Sequence, residues 1–92
     1  MENKKPASER EETDALARAF YEAVSEYRAN PSAEAKRLAA ELGREYGVAL
    51  HREVLMLRKA AETGVKAVQE RLNERLEQLD VLTAEREVLG LI

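Results

Sequence analysis

The sequence predicts an all-α protein: two short helices followed by one long C-terminal helix, assembled as a helical bundle or coiled-coil-like dimer. Three observations predict it. Apolar residues recur at steps of three and four along most of the chain, which is the spacing of one helix face. Residues that favour helices dominate, with 15 Ala, 16 Glu, 12 Leu and 10 Arg among 92 residues. β-Branched residues are too few to build a sheet.

Residues 1–7, MENKKPA, read as a polar N-terminal arm ending in proline. Residues 8–92 read as a single helical domain. Ser8 and Glu11 have capping-box spacing, in which hydroxyl and carboxylate each satisfy a free backbone N–H at a helix start. The apolar face that follows, Leu16, Phe20, Ala23, Val24 and Tyr27, predicts a helix over 8–29. Asn30-Pro31 ends it, because the residue before proline is pushed out of the α region. Pro31 suits the first position of the next helix with Asn30 as its cap.

That second helix is predicted over 31–46, with Ala35, Leu38, Ala39, Leu42 and Tyr46 on one face. Gly43 weakens it, and Gly47 offers the left-handed conformation common at helix C-termini. From residue 50 to 89 the pattern predicts one long helix, with apolar residues at 50, 54, 57, 61, 65, 68, 72, 76, 79, 82 and 89. The steps are close to a heptad over 50–68, and the extra steps of four beyond would locally unwind a coiled coil. Thr63-Gly64 is the one candidate break, and the helix is expected to continue through it. Gly90-Leu91-Ile92 reads as a C-cap whose last apolar residues fold back on the final turn.

A helix of that length would reach about 60 Å, beyond what the two shorter helices can cover. Leu72, Leu76, Leu79, Leu82 and Leu89 are then left without an intramolecular partner and form the expected homodimer interface. A break at Gly64, closing a monomeric bundle, is the alternative.

Composition excludes several classes of function. The absence of cysteine removes disulfides, thiolate metal sites and cysteine nucleophiles. No signal peptide or membrane span is visible, so a soluble, cytoplasmic protein is expected. His51 is the only histidine, and neither Gly47 nor Leu55, one turn to either side, could join it in a site. Glutamates share helix faces at 41 and 45, 70 and 74, and 74 and 77, but arginines and lysines interleave with them, as in solvated ion-pair ladders. There is no phosphate-binding loop and no nucleophile elbow. The expectation is no enzyme, no cofactor, no metal and no small-molecule substrate.

Charge is uneven: residues 1–30 sum to −2, 31–60 to +2 and 61–92 to −3, giving −3 overall with a pI near 5.3. Within the basic third, Leu38 to Ala60 resembles in outline a helix-turn-helix. Gly47 would be the turn glycine, Val48 the buried turn residue and Gly43 the small residue at the helix contact, with Leu42, Tyr46 and Met56 packing around them. One position departs from the pattern: six residues after Gly47, where an aliphatic residue belongs, stands Glu53. On this alternative, a DNA-binding regulator using residues 33–63, His51, Arg52, Arg58 and Lys59 would face the nucleic acid. The acidic sequence that follows opposes it. The favoured expectation is a small acidic protein that binds a protein partner as a regulator, adaptor or inhibitor and self-associates through its C-terminal helix.

Overall fold

The computed structural model describes residues 8–92, and the N-terminal arm expected over 1–7 lies outside them. The described residues form three helices, α1 Glu9–Ala29, α2 Ala33–Ala61 and α3 Lys66–Val88, with no strand among them. None of the three is long and apolar enough to cross a membrane.

α1 starts as its capping residues dictate. The Glu11 amide donates to Ser8 Oγ at 3.1 Å and the Ser8 amide to Glu11 Oε1 at 3.0 Å, which completes the box. Phe20, Ala23 and Val24 from the expected apolar face are buried. The next helix begins two residues later than its sequence suggests: Ser32, not Asn30, is the cap, accepting from the Ala35 amide at 3.0 Å. Pro31 therefore sits in the connection and not in the first turn.

The predicted division of the rest of the chain is reversed. Residues 31–46 and 50–89 do not form a short and a long helix; α2 runs without interruption through Gly43 and Gly47, and the chain turns at Gly64 instead. Two interior glycines cost about 2 kcal/mol of helix propensity, but both sit at close contacts between helices. A Cβ at Gly43 would lie 2.9 Å from the ring of Phe20 and 3.4 Å from Arg86 Nε, and one at Gly47 would lie 3.5 Å from Leu82 Cδ2. The turn forms where a φ of +81° is needed, a conformation glycine adopts without a side-chain clash. Thr63 Oγ1 donates to Ala60 O at 2.8 Å and helps close the preceding turn.

Turning at Gly64 folds α3 back along α2. Leu72 and Leu82 become buried, whereas a continuous helix would leave them in water, at about 1.5 to 3 kcal/mol for each leucine. α3 then ends as expected at Gly90, with φ +68°. The Leu91 amide donates to Arg86 O at 2.8 Å and the Gly90 amide to Glu87 O at 3.1 Å, the paired bonds of a Schellman motif. This returns Leu91 to the core and leaves Ile92 exposed.

α2 is the central element. α1 and α3 each pack against it, but no Cα of α1 comes within 8 Å of a Cα of α3. Phe20, Ala23, Val24, Ala39, Tyr46, Leu50, Leu82 and Leu91 form the core where the three helices converge on α2. An open groove remains between α1 and α3.

Candidate functional site

The five leucines expected at an interface are largely consumed within the chain. Leu72 and Leu82 are buried; Leu79 and Leu89 are half-buried against the core, and Leu76 is half-buried. The premise that this stripe lacks an intramolecular partner therefore does not hold, because the turn at Gly64 supplies α2 as the partner.

The residues proposed for a nucleic-acid groove lie elsewhere. His51, Arg52, Arg58 and Lys59 are all exposed on α2. Gly47 and Val48 belong to the middle of a single helix, so the turn of a helix-turn-helix is absent from 33–61 and its recognition helix is not set off from the first. Val48, the expected buried turn residue, is 52% exposed, and Met56 is 49% exposed. Glu53, the residue that departed from the motif, is 2% exposed.

Glu53 is buried because it has partners. Arg75 donates from Nε to Glu53 Oε1 at 3.0 Å and from a terminal nitrogen to Oε2 at 3.1 Å, a two-pronged pair. Arg71 adds a third donor at 3.2 Å. Arg75 also reaches Asp14 at 3.1 Å and Gln78 at 2.7 Å, so one guanidinium ties α3 to both α2 and α1. Burial pushes the Glu53 carboxyl up, but hydrogen bonds from Arg75 and Arg71 and the charge of Arg75 outweigh it and hold its pKa below the ordinary value. Both Glu53 oxygens are occupied, and the cluster joins the three helices. Among the described residues no group of three or more histidine, aspartate and glutamate side chains is placed to hold a metal ion.

Two surfaces remain unspent. The first is the solvent side of α2, which borders Glu12 and Leu16 of α1 along Arg44, Val48 and Arg52. Arg44, Val48, Arg52, Leu55 and Lys59 follow at steps of four, four, three and four and so share one face. All five are exposed, Leu55 at 55%, and Met56 adjoins them. None of the three cations is in an ion pair among the described residues. The sequence marked Arg52 and Lys59 but neither Arg44 nor the apolar residues between them, because Val48 and Met56 had been assigned to packing and Leu55 lay off the expected seam.

The second surface is the groove between α1 and α3. Ala17, Tyr21, Tyr46, Gln78 and Val81 line it, with Glu74 and Glu77 at the edge. The Arg75–Asp14 pair crosses it near one end and Arg28–Glu85, at 3.4 Å, near the other. Tyr21 and Tyr46 meet edge to face, with ring centroids 6.3 Å apart. Burial raises the pKa of both phenols, and Glu85 adds to the rise at Tyr21.

Compared with protein-family models, with curated proteins and with solved structures, the chain matches none.

Proposed function

We propose that this chain is a small non-catalytic interaction module, a regulator or adaptor, that contacts a protein partner through the outer face of α2. The observation that carries the reading is the alternation of exposed Val48, Leu55 and Met56 with unpaired Arg44, Arg52 and Lys59 on one helix face. Apolar side chains in a helix-face register supply area to bury, and flanking cations select an acidic surface and speed its encounter. The leucines of α3 have little left to offer a partner, since they already cover α2.

A photoreactive residue in place of Leu55, irradiated in a crude extract, tests this. The expected result is a covalent adduct with a protein, lost when Arg52→Glu is added. A photoreactive residue at exposed Thr83, on the side of α3 turned away from Val81, serves as the control. Equal adducts from both positions, or none from position 55, would overturn the reading.

A further inference from the structure

We infer that the partner of the α2 face is the α1–α3 groove of a second copy of this chain, so that copies associate head to tail. This rests on the reading of the α2 face given above and adds the identity of the occupant.

Charge complementarity is the first argument. The outer face of α2 presents Arg44, Arg52 and Lys59, while Glu74 and Glu77 stand at the groove; Glu70, one turn further along, is already paired with Lys66 at 3.8 Å. The −3 net charge of the chain is divided so that its basic third and its acidic last third lie on different helices. Two copies meeting face to face through their grooves would bring like charges together; a copy offering its α2 instead brings opposite ones.

Shape gives the second argument. The groove is lined by Tyr21, Tyr46, Ala17 and Val81, of which Tyr21 is 39% and Val81 51% exposed, so both sides of the contact have apolar surface to bury. The ion pairs that cross the groove involve Arg75 and Glu85, ten residues apart on α3. That leaves an opening of about 15 Å along the helix, and Val48 to Met56 extends about 12 Å. A helix laid in this opening would place Val48 and Leu55 over Tyr21 and Val81, with its cations at the glutamates.

The two surfaces lie on opposite sides of α2, so each copy keeps one of each free after the first contact. Such a heterologous interface grows or closes into a ring; it does not stop at two. That property sets the test. Leu55→Asp places a carboxylate on the ridge and Val81→Gln removes the apolar surface of the groove without adding an acid beside the partner's cations, both at exposed positions where helicity should survive. Wild type is expected to increase in mass with concentration beyond a dimer and to shrink with salt. Each variant alone should be monomeric. An equal mixture should double in mass and stop there, because one usable ridge meets one usable groove.

Should either variant lose helicity, Arg52→Glu and Glu77→Lys replace the pair: each alone should be monomeric, and their mixture should associate past two, because the reversed charges at 52 and 77 suit one another as well. A mixture that stays monomeric while wild type associates would overturn the head-to-tail arrangement and point to like faces pairing. Wild type that stays monomeric at low salt and high concentration would overturn self-association. The crosslink from position 55 to a different protein could still be seen in that case, so the two readings fail separately.

Discussion

Arg75 and Glu53 form a two-pronged ion pair across the α2–α3 contact, 4% and 2% exposed, and the same guanidinium holds Asp14 of α1. Every polar atom of that pair has found a partner, which is the condition under which buried charge is tolerated. Its energetic role is asymmetric, and that asymmetry can be measured.

Removing one member leaves the other charged and buried. Arg75→Met or Glu53→Leu alone should cost about 3 to 5 kcal/mol, whereas Glu53→Leu with Arg75→Met together should be far closer to wild type. Urea midpoints of the two single variants and the double variant decide it. Equal and additive losses would mean the pair is not coupled.

Acid should weaken the fold through the same carboxylate. The Glu53 pKa is lowered on folding, so its contribution is present above the unfolded value, near 4.5, and is lost as pH falls through the lower folded value. Stability should hold above the unfolded value and drop as pH falls below about 4.5, and Glu53→Gln should show a shallower drop from a lower starting point. Parallel slopes for the two proteins in urea melts across that range would assign the effect to other groups.

The glycines of α2 and the following turn should respond in opposite directions to alanine. Gly43→Ala should destabilise, because the added methyl would stand 2.9 Å from Phe20 Cε1 and the buried ring must shift. Gly47→Ala should stabilise by up to about 1 kcal/mol, since its methyl meets Leu82 at an ordinary 3.5 Å and the helix gains propensity. Gly64→Ala has open space around it but a φ of +81°, and should cost about 1 kcal/mol. Thermal melts of the three single variants give the signs, and a stabilised Gly64→Ala would argue for the continuous helix.

Core and surface leucines should likewise separate. Leu82→Ala should lose about 2 to 5 kcal/mol, as expected for a fully buried leucine. Leu55→Ala, at an exposed position, should leave the melting temperature of the isolated chain nearly unchanged.

These contrasts explain which parts of the fold could be read from the chain. The start of α1 was legible because Ser8 and Glu11 encode a local hydrogen-bond exchange, and the end of α3 because Gly90 encodes a local backbone conformation. Gly47 and Gly64 were not distinguishable in that way. Both carry the same propensity penalty, and the choice between them is made by contacts of Gly47 with Leu82 and Arg86, tens of residues distant in the chain. Glu53 did leave a trace: a carboxylate where an aliphatic residue belonged, and Arg75 at a step of three from Leu72 and four from Leu79 on the leucine seam. Two opposite charges on two apolar faces indicate that those faces meet. The α2 contact face was half visible, its cations through the charge count, its apolar residues hidden until α2 proved continuous.

The most direct measurement is a dilution series of amide chemical shifts in isotope-labelled protein. The account predicts concentration-dependent shifts at Val48, Arg52, Leu55, Met56 and Lys59 on α2 and at Tyr21, Glu74, Glu77 and Val81 around the groove, with Leu72 and Leu82 unmoved. Shifts confined to Leu72, Leu76, Leu79, Leu82 and Leu89 would contradict it and return the interface to the leucine seam.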